Sequence, residues 1–125
     1  DGRTLPGHEA ELMETVQSLV GPDVKVERLV SDIPLEVDFA GALVEAMINA
    51  IKSEDPEAEV IPYLLSGGTD NKALAKLGIT GYGFSPLKLP SDLDFIGLFH
   101  GVDERVPIDS LQFGARTLHH FLVNS

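Results

Sequence analysis

LFHGVDERVPI, residues 98–108, is the segment from which the organisation of this chain can be worked out. His100 stands at the end of an apolar approach, Gly101 allows a tight turn, and Pro107 suits the first position of a following helix. Upstream, SGGTDNK at residues 66–72 forms a second glycine turn that opens another helix. Each turn therefore places polar groups where a loop meets a regular element.

Outward from these turns, the hydrophobic pattern alternates between helical and strand-like segments. Apolar residues at three- and four-residue spacing predict helices over residues 8–20, 35–52 and 109–123. The glycine turn before it and Gly78 as its C-cap predict a further helix at 70–77. Residues 1–7 are typical of the end of a strand that runs into a Pro-Gly turn. Alternating or short apolar runs predict strands at 24–30 and 59–65, a glycine-rich strand at 79–84, and a strand or an extended run at 93–99. The alternation predicts the α/β class, in two lobes that divide near residues 32–35. The strand–helix–strand unit at residues 1–30 covers only about half of a two-layer domain, so further sequence or another chain should cover the rest.

Composition excludes several classes of function. The net charge is −11, with nine Lys and Arg against 20 Asp and Glu, so the chain lacks the basic patch that nucleic acid or an anionic membrane surface requires. No apolar run is long enough to cross a bilayer. The chain has no cysteine, which excludes disulfides and thiol chemistry and is compatible with a reducing cytoplasm. We therefore expect a cytoplasmic protein that binds neither nucleic acid nor membranes.

His100 is the best candidate for chemistry, and two interpretations of it stay open. A histidine where an apolar run meets a loop can hold a metal ion whose remaining position faces substrate. Alternatively, it is packed and hydrogen-bonded to a backbone carbonyl, because a metal ligand needs partners. The chain offers no HxxH, HxD or HExxH spacing, and His119 and His120 are adjacent on a predicted helix, so they cannot chelate one ion together well.

The groups around the two turns also allow alternatives. Asp103 or Glu104 could orient the His100 imidazole, or simply complement the positive end of the last helix. The turn at residues 66–72 could bind a carboxylate with its amides and Lys72, or serve only as a helix cap through Thr69 or Asp70.

Taken together, these motifs resemble the C-terminal segment of the zinc-dependent aminoacylase, glutamate carboxypeptidase and succinyl-diaminopimelate desuccinylase family. The resemblance rests on the order of five elements, which are GGTDNK at 67–72, Gly78-Ile79, Gly83-Phe84, His100 and the acid Glu104. In addition, DGRTLPG at residues 1–7 is similar to the Asp-x-Arg-x-x-Pro-Gly strand of the family's lid domain.

The resemblance implies a fold and a set of site residues. Residues 1–32 would be half of an α+β lid or dimerisation domain, and residues 33–125 the C-terminal part of an α/β catalytic domain. His100 would be the last ligand of a two-metal zinc site, with cobalt or manganese as alternatives, and Glu104 would support it. Gly67, Gly68 and Lys72 would contact the substrate carboxylate. Many members have arginine at the position of Lys72, and lysine keeps the charge but lacks the bidentate fork.

The implied activity is attack of metal-activated water on the amide bond of an N-acyl amino acid or small peptide. The family's other metal ligands and its general base have no counterpart here, so no catalytic residue is assigned. Together with the absence of an initiator methionine, this leads us to expect a fragment, inactive alone, that needs an N-terminal part and forms a homodimer or self-associates. The rival interpretation is a non-catalytic α/β module for dimerisation or partner binding.

Overall fold

The structure, a computed structural model, describes residues 1–65 and 67–125. Its helices are α1 (Glu9–Val20), α2 (Ala42–Glu54), α3 (Asn71–Ala75), a 3-10 helix (Ile96–Leu98) and α4 (Ile108–Asn124). Within the described ranges no residue is paired in a β-strand. The predicted strands are therefore not seen there. The α/β class, with its half lid and partial catalytic domain, stays a prediction.

The chain divides into two units, each built from two segments. The first unit comprises Asp1–Asp38 and Tyr63–Tyr82, and the second unit comprises Phe39–Pro62 and Gly83–Ser125. The expected domains, residues 1–32 and 33–125, stay a prediction.

In the first unit, α1 confirms the helix predicted from its apolar spacing. The helix ends at Gly21, whose φ of 80° suits a residue without a Cβ. The side-chain amide of Gln17 donates to the carbonyls of Gly21 and Val24, at 2.8 and 3.0 Å, so it satisfies backbone acceptors beyond the helix end. Polar contacts within the segment thus hold the end of α1.

The second unit contains the pair of helices that pack together. α2 begins at Ala42, not near residue 35 as predicted, because Gly41 has a φ of 97° and cannot continue a right-handed helix. Val44, Met47 and Ala50 of α2 are buried, and Phe113 is buried on α4. This face is the core of the unit.

Close backbone approach and buried hydrogen bonds complete this packing. A Cβ on Gly114 would lie 2.6 Å from the Pro86 carbonyl oxygen, so glycine is required where α4 meets the segment before it. The Ser110 hydroxyl donates to the Lys88 carbonyl at 2.6 Å. Phe84 and Phe121 pack with ring centroids 5.4 Å apart. α4 is therefore fixed along its length by contacts within the second unit.

Among the described helices, none has the length and apolar character needed to cross a membrane.

Candidate functional site

The glycine turn lies in the first unit, immediately before α3. Ser66, its first predicted residue, lies outside the described residues. Asp70 precedes the helix, and its carbonyl accepts from the Leu74 amide at 3.1 Å, but its carboxylate does not cap the helix. Because α3 has only five residues, its dipole adds little to anion binding, and the side chain of Lys72 is the main source of positive charge on it.

Neither glycine of the turn is required by packing among the described residues. Gly68 does not have a positive φ. A Cβ on Gly68 would meet no described atom within 4 Å, and one on Gly67 would meet only the Leu65 side chain, at 3.6 Å. The turn therefore leaves its backbone open on the side where a side chain would otherwise stand.

Lys72 belongs to a charged cluster with Asp32 and Lys76. The Lys72 Nζ lies 3.9 Å from Asp32 Oδ2, and the Lys76 Nζ lies 3.6 Å from Asp32 Oδ1. The backbone amide of Ile33 donates to Asp32 Oδ1 at 2.8 Å. This amide, and then the two ammonium groups, lower the pKa of the Asp32 carboxyl below its ordinary value, so the carboxylate is ionised at neutral pH.

A cavity of about 1090 Å³ lies beside this cluster within the first unit. Gly67, Gly68, Lys72 and Asp32 line it together with residues of α1. The predicted substrate contacts thus share one cavity, and its size is that of a small-molecule site.

His100 lies in the second unit, in a turn after the 3-10 helix. The Gly101 amide donates to the Leu98 carbonyl at 3.0 Å, which closes the turn. His100 and Asp103 have φ values of 59° and 62°, in the left-handed region that non-glycine residues rarely occupy. Such backbone conformations are enriched at functional sites, where the surrounding structure holds them.

The His100 side chain is exposed and makes no hydrogen bond or ion pair to a described residue. Glu104 accepts from the His100 backbone amide at 3.3 Å, and not from the imidazole. The carboxylate therefore supports the turn that carries His100. Whether Glu104 also orients the ring of a metal-bound His100 stays a prediction.

The described residues do not form a complete metal site. Among them no group of three or more His, Cys, Asp or Glu side chains is placed to hold an ion. His100 can supply one nitrogen, so the described residues by themselves do not fit a two-metal centre.

Sequence reasoning missed Asp32 and Lys76. Lys72 and Lys76 are four residues apart, which is a weak sign that they share one side of a helical turn. Nothing in the sequence points to Asp32, which comes from a distant connector.

Comparison with known proteins shows the class of protein to which the chain belongs. A sequence model of Peptidase family M20/M25/M40 matches residues 5–124, which is nearly the whole chain. The match indicates a metallopeptidase or amidohydrolase type of function, and the family is generally metal-dependent. The chain belongs to Peptidase family M20/M25/M40. No curated protein and no solved structure matches it.

Proposed function

We propose that this chain is the C-terminal part of a cytoplasmic, zinc-dependent amidohydrolase or peptidase of the aminoacylase, glutamate carboxypeptidase and succinyl-diaminopimelate desuccinylase type. The substrate is an N-acyl amino acid or a small peptide. The observation that carries the proposal is the family match over residues 5–124. Zinc in a two-metal site would supply the activated water, and the remaining ligands and the general base would come from outside this chain.

Two features of the site support the assignment of residues. The exposed imidazole of His100 is accessible to a metal ion, and its turn is held in the left-handed conformation. Gly67 and Gly68 leave an open backbone beside Lys72, so a substrate carboxylate could approach the amides and the ammonium together. His100 is thus proposed as the metal ligand, with Glu104 in support, and Gly67, Gly68 and Lys72 as the carboxylate contact.

The metal assignment is tested by zinc content and activity of the protein as its source cells make it. His100→Asn should lower bound zinc and amidase activity on N-acetyl amino acids at least tenfold, whereas His119→Asn, at an exposed position on α4, should leave both unchanged. Equal zinc content in the two variants would refute the role of His100. The 125-residue chain alone should show no zinc-dependent amidase activity, because the proposal assigns it no general base.

The carboxylate contact is tested by kinetics of the same enzyme. Lys72→Gln should raise KM about tenfold, since a charged hydrogen bond is worth roughly 1.5–3 kcal/mol. Lys52→Gln is the matched control, because Lys52 is exposed on α2 and does not line the cavity. If both variants have the wild-type KM, Lys72 does not bind the substrate.

The proposal includes self-association as a homodimer. Leu29 and Val30 of the first unit are 88% and 85% exposed, and burying such side chains would be favourable. Analytical ultracentrifugation should show a dimer, and a monomer at high protein concentration would contradict this part of the proposal.

A further inference from the structure

The Asp32 carboxylate lies between two lysine ammonium groups, and each of its oxygens faces a different one. Oδ2 is 3.9 Å from Lys72 Nζ, and Oδ1 is 3.6 Å from Lys76 Nζ. The Ile33 amide donates to Oδ1 at 2.8 Å, which fixes the carboxylate beside its own backbone. The arrangement is therefore anchored by the connector and not only by flexible lysine side chains.

The two lysines differ in exposure and in their access to the cavity. Lys72 lines the cavity with Asp32 and is 23% exposed, whereas Lys76 is 62% exposed and is not among the described residues that line the cavity. The 3.9 Å separation from Asp32 is longer than a hydrogen bond, so the carboxylate attracts Lys72 without using its N–H donors. Those donors stay available to a ligand in the cavity.

The charge of the cluster follows from its members. Two ammonium groups and one carboxylate leave a single positive charge next to Lys72, which matches one carboxylate of a ligand. Beyond this cluster the cavity lining has more acidic than basic side chains (Asp1, Glu9, Glu27 and Asp70 against Arg3 and Arg28), so it offers no net positive charge to a second carboxylate. We infer that Asp32 and Lys76 are specificity-determining residues, which set the charge that Lys72 presents and so favour a ligand with one carboxylate over one with two. This inference rests on the proposed role of Lys72 as the carboxylate contact.

The competing explanation is that these are ordinary surface ion pairs, which contribute little to stability and nothing to ligand choice. The two explanations differ in the effect of removing each partner. Asp32→Asn would raise the charge of the cluster by one, and Lys76→Gln would lower it by one. A role in ligand choice therefore requires opposite changes in the two variants, whereas a structural role requires none.

The experiment is an NMR titration of the whole protein, of which this chain is proposed to be a part, labelled with ¹³C-lysine, at neutral pH and low salt. The probes are N-acetylglycine, with one carboxylate, and N-acetylglutamate, with two. In wild type, both should shift the Lys72 signal. Asp32→Asn should change the ratio of the two Kd values about fivefold in favour of N-acetylglutamate, and Lys76→Gln should change it about fivefold the other way, as expected for one unit charge a few ångströms away in a largely aqueous setting.

Matched controls make the same charge changes elsewhere in the chain. Asp23→Asn and Lys52→Gln alter exposed residues that do not line the cavity and should leave the ratio unchanged. The inference is overturned if the ratio is unchanged in Asp32→Asn and Lys76→Gln, or if the controls move it equally. If neither probe shifts Lys72 in wild type, the proposed carboxylate contact fails, and the inference fails with it. If Asp32→Asn does not fold, the result for Lys76→Gln alone decides whether the inference stands.

Discussion

Each of the two units of this chain is stabilised internally by a different kind of contact. Every buried residue among those described lies in the second unit, and the set consists of Val44, Met47, Ala50, Pro86, Ser110, Phe113, Gly114 and Thr117. The described part of the first unit has none, and it is held by polar contacts such as those of Gln17, Asp32 and Tyr82.

The region that supplies most of the stability therefore differs from the region that is open to partners. Burial of apolar side chains is worth roughly 1.5–3 kcal/mol each, whereas exposed ion pairs are worth about 0–1 kcal/mol. The second unit should therefore unfold as the more stable region. The first unit, which carries the cavity and Lys72, should depend more on what binds or covers it.

The largest effect should come from the core of the second unit. Phe113→Ala should lower the free energy of unfolding by about 3 kcal/mol, because Phe113 is buried and its removal leaves a cavity. Leu122→Ala is the matched change on the same helix, where the side chain is 70% exposed, and should cost under about 0.5 kcal/mol. Urea denaturation followed by circular dichroism measures both. Similar losses of stability in the two variants would contradict the assignment of Phe113 to the core and Leu122 to the surface.

A smaller effect is expected where a buried hydroxyl ties α4 to the segment before it. Ser110→Ala should cost about 1 kcal/mol, because the Lys88 carbonyl would lose the hydrogen bond that it accepts from Ser110. Ser18→Ala, at an exposed position on α1, serves as the control in the same denaturation experiment. An unchanged midpoint for Ser110→Ala would show that the hydroxyl does not stabilise the unit.

In the first unit the corresponding effect should be local. Gln17→Ala removes two hydrogen bonds from the end of α1 and should cost about 0.5 kcal/mol, since both are exposed. Hydrogen exchange of the Gly21 amide, which bonds to the Gln17 carbonyl at 3.1 Å, should become faster. Gln112→Ala on α4 is the control, and its exchange pattern at Gly21 should match wild type.

The smallest expected effect is a loss of stability at acid pH. The Ile33 amide and the two lysines keep the pKa of Asp32 below its ordinary value of 3.8. The stabilising contribution of Asp32 is therefore present above the unfolded-state pKa and is lost as pH falls through the lower folded-state pKa. Carboxyl NMR should show Asp32 titrating below 3.8, and Lys76→Gln should move its pKa upward. An unmoved pKa in that variant would contradict the pairing.

Much of the helical structure was accessible from the sequence, because amphipathic spacing is a local signal. α1 and α4 begin and end within one residue of prediction, since Pro107 and Gly21 mark a beginning and an end. The start of α2 was missed because spacing cannot reveal that Gly41 adopts a positive φ.

The residues of the candidate site could be predicted from the sequence only in part. Lys72 and His100 were singled out from the two turns and from the order of elements in the motif resemblance, and their roles stay predictions. Asp32 and Lys76 were not, because a contact between a connector and a distant helix leaves no periodic pattern. Charge clusters of this kind become visible only when the chain is folded.

The backbone of His100 has a consequence for how this position can change. A φ of 59° costs most residues roughly 1–2 kcal/mol, a penalty that glycine escapes. Selection for stability alone therefore favours glycine at this position, whereas the proposed metal role of His100 favours histidine. Stability and the proposed metal role thus favour different residues at position 100. A library screened for thermal resistance should lose His100 early, and one screened for activity should keep it.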